Sequence, residues 1–324
     1  MASESSLIAA LRGLALDPAA RGLADDAAVI ETSGARLVLT HDMIVEGVHF
    51  LAADPPGDVA WKLVAVNLSD LAAKGARPVG ALLGYCLAGD DGWNRAFVTG
   101  FEEALGRFGL ALLGGDTVGL PEGAPRMFGL TAIGEAEGPV PSRGGARPGD
   151  GIWVTGAIGD GGAGLRLLRG EIEGDGALAE RYRRPVPRLA AGRDLAPIVG
   201  AMIDVSDGLL IDASHVAQAS GARLTIDLSA VPLSQSFVRA LGDGREARLA
   251  AATAGDDYEL LFAAGPACAS EITAIAGRLE LAMTRIGSVD AGAGLRLLDG
   301  AETVALPDRL GWEHGQAAKP APSC

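Results

Sequence analysis

The chain has 324 residues, 48% of them hydrophobic, and a formal net charge of −14 because 41 acidic residues outnumber 27 basic ones. That length can bury a large core and suggests two domains, while an acidic chain without basic clusters is a poor candidate for binding nucleic acid or a membrane surface. No apolar run approaches the ~18 residues of a membrane span, and three widely spaced cysteines without a C-x-x-C pair argue against a disulfide framework and favour a reducing, cytoplasmic location.

Helices and strands alternate in the first part of the chain, which predicts an α/β or α+β protein whose helices cover sheets. Gly and Pro residues separate the predicted elements. We predict a short helix at Ser5–Leu16, strands at Ala27–Ile30 and Arg36–Ile44, a helix from Pro55 to Lys74, a strand at Pro78–Leu87, a helix at Trp93–Gly109, and strands at Leu110–Leu113 and Arg126–Glu135.

The segment Gly138–Asp150 is the richest in Pro and Gly, and it predicts a boundary between two domains, residues 1–140 and 141–316, with a frayed tail at 317–324. The second part continues the alternation. Strands are predicted at Ile152–Ile158, Ala201–Val205, Arg223–Leu228, Tyr258–Ala263 and Arg285–Val289, and helical structure at Gly162–Leu168 extending loosely to Ile198, Leu209–Ser220, Gln235–Leu241 and Ala267–Leu279.

Carboxylates and other oxygen ligands recur at predicted strand ends and helix edges in otherwise apolar sequence. They are Asp25 and Asp26, Thr40 with His41 and Asp42, Asp70, Asp116, and Asp204 with Ser206 and Asp207. Most have an ordinary explanation when taken alone: Ser206 or Asp207 can cap the next helix, Asp116 can be a turn residue, and Asp70 can pair with Lys74. Asp204, within the predicted strand, has none. His41 and His49 are more often satisfied polar residues than metal ligands.

The set of carboxylates is more informative than any member. Like charges ~4 Å apart repel by about 4 kcal/mol at an effective dielectric constant of 20, so converging carboxylates need a metal ion. Oxygen ligands without thiolates favour magnesium, which is usually shared with substrate phosphates. We therefore expect a magnesium and nucleotide polyphosphate site.

A glycine-rich segment, Gly159–Gly164, matches the G-x-G-x-x-G dinucleotide fingerprint between a strand and a helix. The fingerprint also requires a second parallel strand that ends in an acidic residue about 20 residues later. That place holds a charged segment without a strand, so we interpret the glycines as a tight turn. No P-loop, H-E-x-x-H or G-x-S-x-G motif occurs.

Seven segments, in this order, closely resemble the thiamine-monophosphate kinases, whose superfamily includes aminoimidazole ribonucleotide synthetase and selenophosphate synthetase. They are Asp25–Ile30 (DDAAVI), Thr40–Phe50 (THDMIVEGVHF), Lys62–Ala76 (KLVAVNLSDLAAKGA), Leu112–Thr117 (LLGGDT), Val154–Leu165 (VTGAIGDGGAGL), Ile203–Leu209 (IDVSDGL) and Gly255–Phe262 (GDDYELLF). The resemblance spans about Ser5–His314. It implies the two-domain fold of that superfamily and a homodimer in which the N-terminal mixed sheets pair, with a C-terminal α/β sandwich.

The resemblance also implies a reaction: ATP, bound with several magnesium ions between the domains, phosphorylates thiamine monophosphate to thiamine diphosphate by direct in-line transfer. Matched residue by residue, the metal positions are Asp26, Thr40, His41, Asp42, Asp70, Asp116, Asp204 and Asp207; the nucleotide positions are Gly115, Asp116, Arg143 and Ser206; and the substrate positions are His49, Asp256 and Trp312. Asp42, Asp116 and Arg143 are the expected catalytic residues.

Four positions depart from the family pattern. His41 replaces a Thr, so a hydroxyl ligand is lost and only a backbone carbonyl remains; Ala24 replaces a Gly; Asp256 replaces a Glu and has one methylene less reach; and Gly315 replaces an aromatic residue. Two alternatives stay open. One is another ATP-dependent enzyme of the superfamily, although a selenophosphate synthetase predicts a reactive Cys near the N-terminus and the first here is Cys86. The other is a non-catalytic magnesium–nucleotide binding protein.

Overall fold

A computed structural model describes residue 8, residues 11–12 and residues 14–313. Three predictions therefore lie wholly or partly outside the described residues: the helix at Ser5–Leu16, the role of Gly315 and the tail at 317–324. Within the described ranges, no helix combines the length and the apolar character needed to cross a lipid bilayer.

The first sheet has five strands in the order β1-β2-β5-β3-β4. All neighbours pair antiparallel except β3 and β4, which are parallel and are connected through a helix, as parallel strands require. The elements are β1 (Ala28–Glu31), β2 (Arg36–Val45), α1 (Pro56–Ala73), β3 (Arg77–Leu87), α2 (Asp91–Phe108), β4 (Ala111–Gly119) and β5 (Met127–Ala136). Helices α1 and α2 cover one face of this sheet.

The second sheet has seven strands in the order β12-β11-β8-β10-β6-β9-β7. Its elements are β6 (Gly151–Thr155), α3 (Asp160–Leu168), α4 (Gly176–Arg183), α5 (Leu189–Leu195), β7 (Ala201–Val205), α6 (Leu209–Ser220), β8 (Arg223–Asp227), α7 (Gln235–Leu241), α8 (Arg245–Ala252), β9 (Glu259–Ala264), α9 (Ala269–Leu279), β10 (Met283–Asp290), β11 (Gly294–Asp299) and β12 (Glu302–Val304). The mixed α/β class is as predicted. The domain bounds remain a prediction, although the first sheet ends at residue 136 and the second begins at residue 151.

Helix α1 lies between the two parts of the molecule. Fourteen of its 18 residues are buried, because its sequence is apolar on most sides and each side has a partner: β2 and β5 of the first sheet, α2, and α5 with β7 of the second part. Its C-terminal Ala72 and Ala73 share a hydrophobic cluster with Leu195 and Met202. Polar side chains on α1 are therefore held at fixed positions between the sheets.

The predicted end of β4 is wrong, and the error concerns site residues. This strand was predicted to end at Leu113, but it continues through Gly115 and Asp116 to Gly119, and both residues pair with β3. Strand β2 runs through Thr40, His41 and Asp42 to Val45, one residue beyond its predicted end at Ile44. Because side chains alternate across a strand, Thr40 is buried towards α1 whereas His41 is exposed on the opposite face.

Other differences lie in the second part of the chain. The loosely helical region after Gly162 consists of three separate helices, α3, α4 and α5. Helix α8 and strands β11 and β12 were not predicted. Strand β11 is framed by glycines and is only half-buried, so its apolar pattern is weak.

Candidate functional site

A cleft of about 1020 Å³ lies between the two parts of the molecule. Both parts contribute to its wall, which brings together residues more than 200 positions apart in the sequence. The predicted site residues that line it are Asp26, Asp42, His49, Asp70, Arg143, Asp204, Ser206, Asp207, Asp256 and Trp312. The cleft is large enough for a nucleotide together with a second small molecule.

Three carboxylates converge in the wall of this cleft. Asp26 precedes β1, Asp70 lies on α1 and Asp204 lies on β7, and one carboxylate oxygen of each is within 4.8 Å of the other two. Asp70 accepts a hydrogen bond from the hydroxyl of Thr40, and Asp204 Oδ2 accepts one from Ser69 Oγ at 2.6 Å. We refer to Asp26, Asp70 and Asp204 as the acidic cluster.

Asp42 lies beside this cluster on β2, and its backbone position is fixed by α1. The buried Asn67 accepts a hydrogen bond from the Asp42 amide on its Oδ1 at 2.9 Å, while its Nδ2 donates to the Leu63 carbonyl at 2.9 Å. Asn67 lies one turn before Asp70 on the same helix. Helix α1 thus positions Asp42 relative to Asp70.

Burial makes these carboxylates hard to ionise. The pKa values of Asp70 and Asp204 are raised well above the ordinary value, first by burial and then by neighbouring carboxylates, and burial also raises the pKa of Asp42. Burial acts on Asp26 too, but the charges of Lys74 and Arg143 more than offset it and lower its pKa. The charged forms of Asp70 and Asp204 are therefore disfavoured by burial and by neighbouring carboxylates.

Two cations contact Asp26. Lys74, fully buried at the end of α1, places Nζ 2.5 Å from Asp26 Oδ2, 2.6 Å from Asp25 Oδ1 and 3.2 Å from the Met202 carbonyl. Arg143 lies 2.5 Å from Asp26 Oδ1 and lines the cleft. Lys74 is enclosed, whereas the Arg143 guanidinium is partly exposed towards the cleft, so only Arg143 is placed to meet a ligand.

The acidic cluster fits a magnesium ion on three grounds. Its donors are carboxylate oxygens, which magnesium prefers; they converge within one ion's reach; and burial and neighbouring carboxylates raise the pKa values of two of the three, Asp70 and Asp204. A divalent cation would remove that repulsion and return the carboxylates to the ionised state.

The predicted substrate residues line the same cleft, and we refer to the part of its wall that they form as the substrate end. His49 follows β2, Asp256 precedes β9, and Trp312 is 47% exposed. The Trp312 amide donates to the Asp207 carbonyl at 2.9 Å, which attaches this segment to the turn after β7. All three predicted substrate residues therefore lie in the wall of the cleft that contains the acidic cluster.

Three predicted site residues lie apart from the acidic cluster. The His41 side chain is on the other face of the sheet, where Nδ1 is 2.9 Å from Thr131 Oγ1, so only its backbone remains a predicted ligand. Gly115 and Asp116 are on edge strand β4 and are exposed. Asp42, Leu130, Leu83 and Gly115 are successive partners across the sheet, which puts Gly115 about 14 Å from Asp42 at ~4.8 Å per strand.

The structure explains why the glycine-rich segment Gly159–Gly164 does not bind a dinucleotide phosphate as its motif would suggest. The buried carboxylate of Asp257 accepts hydrogen bonds from the amides of Gly159 at 2.7 Å and Gly161 at 3.1 Å. These amides lie at the N-terminus of α3, where a phosphate would sit in a dinucleotide fold. The protein's own carboxylate already occupies that position.

Sequence reasoning missed four buried charged residues around the cleft. Lys62 and Lys74 were read as ordinary helix residues, Asp212 was not singled out, and Asp257 was noted only within a motif. Asp212, on α6, accepts from the amides of Asp207 at 3.3 Å and Gly208 at 3.2 Å, so it shapes the turn after β7. Composition could have drawn attention to the two lysines. Only three of the 27 basic residues are lysines, and two of these lie on or directly after one apolar helix.

The comparisons with known proteins agree with this geometry. The family model described as AIR synthase related protein, N-terminal domain, matches residues 24–136, and that of the C-terminal domain matches residues 147–300. A thiamine-monophosphate kinase of Caulobacter vibrioides is 41% identical over 307 residues, covering 92% of this chain and 86% of that protein. The thiamine-monophosphate kinase of Escherichia coli K12 is 35% identical over 302 residues, which cover 90% of this chain and 91% of that protein.

Solved structures show the same relationship. One described as AaThiL complexed with AMPPCP and TMP has a TM-score of 0.82 at 31% identity and covers 96% of this chain and 97% of its own. The structure of a thiamine-monophosphate kinase from Stenotrophomonas maltophilia K279a has a TM-score of 0.76 at 37% identity. It covers 90% of this chain and 94% of its own. With such identity over nearly its whole length, the chain belongs to the thiamine-monophosphate kinase family.

Proposed function

We propose that this protein transfers the terminal phosphate of ATP to thiamine monophosphate, giving thiamine diphosphate and ADP, and that it requires magnesium. The observation that carries the proposal is the acidic cluster in a cleft that His49, Asp256 and Trp312 also line. A related enzyme, AaThiL, has been solved with AMPPCP and TMP together. A cleft that combines converging carboxylates with an imidazole and an indole suits a metal-assisted reaction between a nucleotide and a second phosphate compound.

The reaction must bring two anionic phosphates together inside an acidic protein. Magnesium, when bound, would neutralise the phosphate oxygens and stabilise charge on the transferring group. The chain contributes Asp26, Asp42, Asp70 and Asp204 as ligands. Arg143 lies at the edge of the cluster, where its guanidinium can clamp a phosphate with paired N–H donors.

The acceptor is a phosphate oxygen that is already ionised at pH 7, so no strong general base is needed. We infer direct in-line transfer without a covalent phosphoenzyme. Catalysis then depends on positioning and charge stabilisation, which is consistent with a site whose carboxylates are fixed on α1, β2 and β7.

The test is ADP release by the purified protein with ATP and magnesium, with and without thiamine monophosphate. We expect release that depends on thiamine monophosphate and equals the thiamine diphosphate formed. Magnesium-dependent ATP binding without turnover would instead favour a non-catalytic binding protein, and release that requires a different acceptor would overturn the substrate.

We also propose a homodimer formed through the first sheet. All nine residues of edge strand β4 are exposed, and the face of the sheet away from α1 and α2 carries exposed apolar side chains such as Met43 and Leu82. An unpaired edge next to an apolar face is a typical interaction surface. A second copy would cover it and would also give Gly115 and Asp116 a cleft to enter.

The arrangement predicts complementation between two inactive variants. Asp42→Asn and Asp116→Asn are each expected to abolish turnover alone. If a site takes Asp42 from one copy and Asp116 from the other, co-expression of the two variants restores about a quarter of wild-type activity, because half of the dimers are mixed and each has one intact site of two. Steady-state ADP release by the co-purified proteins measures it.

Two further results bear on the dimer. Leu82→Glu, which puts a charge on the apolar face, is expected to yield a monomer in sedimentation, whereas the surface control Arg278→Met stays dimeric. A co-expressed pair no more active than either inactive variant alone would mean that each site takes Asp42 and Asp116 from the same chain.

A further inference from the structure

Lys62 is a buried cation beneath the substrate end of the cleft. It lies on α1 and is only 1% exposed. Its Nζ donates to the His49 carbonyl at 2.9 Å, lies 3.0 Å from Asp256 Oδ1, and is 3.7 Å from the centre of the Tyr182 ring. A single ammonium therefore links α1, the segment after β2, the segment before β9 and helix α4.

The segment that carries Asp256 is conformationally demanding. Asp256 and Tyr258 both have left-handed backbones, with φ values of 72° and 52°. Non-glycine residues adopt this conformation only where surrounding contacts enforce it. The Tyr258 hydroxyl donates to Asp256 Oδ1 at 3.0 Å, so this hydroxyl and Lys62 both fix one carboxylate oxygen, while Oδ2 takes part in neither contact.

The His49 segment is held from the same side. Its carbonyl accepts from Lys62 and also from the Tyr182 hydroxyl at 3.3 Å. The His49 Nδ1 accepts from the Val45 amide at 3.1 Å, which orients the imidazole. Both segments that carry predicted substrate contacts thus converge on the Lys62–Tyr182 pair.

A buried lysine needs polar partners wherever it lies, so burial alone assigns it no role. Here, however, both polar partners of Lys62 belong to residues that line the cleft, His49 and Asp256, whereas Lys62 itself does not line it. Lys62 also joins a helix of the first part of the chain to a segment of the second. Its removal would therefore alter the substrate end without removing an atom that touches a ligand.

We propose that Lys62 is a positioning residue for the acceptor substrate, and that it holds the Asp256 carboxylate and the His49 segment in the arrangement that receives thiamine monophosphate. This inference rests on the proposed function. It assigns Lys62 to the substrate end alone, because its polar partners belong to His49 and Asp256. The acidic cluster has its own buried lysine, Lys74.

The experiment compares steady-state kinetics of the wild type, Lys62→Met and the surface control Arg278→Met, whose arginine is 58% exposed on α9. Methionine keeps the apolar stem and removes the ammonium. We expect the KM for thiamine monophosphate to rise about ten- to a hundred-fold in Lys62→Met, as for loss of a hydrogen bond to a charged group. The KM for ATP and kcat should change by less than about three-fold, and the control should match the wild type.

If Lys62→Met does not fold, Tyr182→Leu decides the question, because it keeps the ammonium and removes the ring and the hydroxyl that hold it. The same selective rise in the KM for thiamine monophosphate is expected. An unchanged KM for thiamine monophosphate, or an equal change for both substrates, overturns the positioning role. A wild type without turnover of thiamine monophosphate overturns the proposed function itself, and the role of Lys62 with it.

Discussion

Asp204→Asn is expected to abolish turnover and, at the same time, to stabilise the metal-free protein at neutral pH. Asp204 is buried, and its pKa is raised well above the ordinary value by burial first and by the charge of Asp26 second. Asparagine keeps the shape and removes one of the mutually repelling charges, each pair of which costs about 4 kcal/mol at ~4 Å and an effective dielectric constant of 20. Loss of one ligand at a charge-stabilising centre should lower kcat by at least about 100-fold.

The stability gain follows from the sign of the pKa shifts. A carboxyl whose pKa is raised on folding contributes stability that is fully present below its unfolded value and is lost as the pH rises through its folded value. Asp42, Asp70 and Asp204 are all shifted in this direction. The lowered pKa of Asp26 acts in the opposite direction, but in a window below the ordinary carboxyl pKa. The metal-free wild type should therefore lose stability as the pH rises above the ordinary carboxyl pKa.

Thermal unfolding with a chelator, over the pH range above the ordinary carboxyl pKa, measures both effects. The Tm of Asp204→Asn should exceed that of the wild type at pH 8, by about 1–2 °C per kcal/mol at an unfolding entropy of about 2.1 cal/mol/K per residue, and should depend less on pH. Magnesium should raise the Tm of the wild type more than that of the variant. Asp194→Asn, on the surface beside Arg278, is the control. A lower Tm for Asp204→Asn at pH 8 would contradict the assignment of repulsion to this cluster.

The sequence predicted which carboxylates come together better than it predicted where strand β4 ends. Asp26, Asp70 and Asp204 were grouped because carboxylates in apolar sequence demand an explanation, and the structure brings them within 4.8 Å. Strand β4 was predicted to end at Leu113, yet it runs on through Gly115 and Asp116. A strand can carry polar residues when its neighbours supply the ladder hydrogen bonds, and that depends on partners distant in sequence.

The same limit explains two further differences. Nothing local in Leu112–Thr117 shows that β4 is an uncovered edge, because exposure depends on which strand occupies the next position in the sheet. The glycines of this segment have a local reason: a Cβ at Gly115 would lie 2.0 Å from the Leu83 carbonyl oxygen. Likewise, the ion pairs of Lys62 with Asp256 and of Lys74 with Asp26 join residues almost 200 and about 50 positions apart, beyond the reach of any periodicity argument.

Lys74→Met is expected to destabilise the metal-free protein by about 3 kcal/mol, the lower end of the range for breaking a buried ion pair by removing one partner. The Lys74 ammonium is fully buried and contacts two carboxylates, Asp25 and Asp26. Each retains one arginine, since Arg21 is 2.6 Å from Asp25 and Arg143 is 2.5 Å from Asp26, so the loss should stay near the lower end. Urea unfolding with a chelator, compared with Arg278→Met, measures it.

Magnesium distinguishes this explanation from a simple packing defect. If the destabilisation comes from uncompensated negative charge, a divalent cation in the acidic cluster supplies part of what Lys74 provided, and saturating magnesium should narrow the gap between Lys74→Met and the wild type. Adding Asp26→Asn to Lys74→Met removes the stranded charge and should restore stability without metal. A gap that neither magnesium nor the second substitution narrows would mean that the lysine stem, packed between α1 and β7, matters more than its charge.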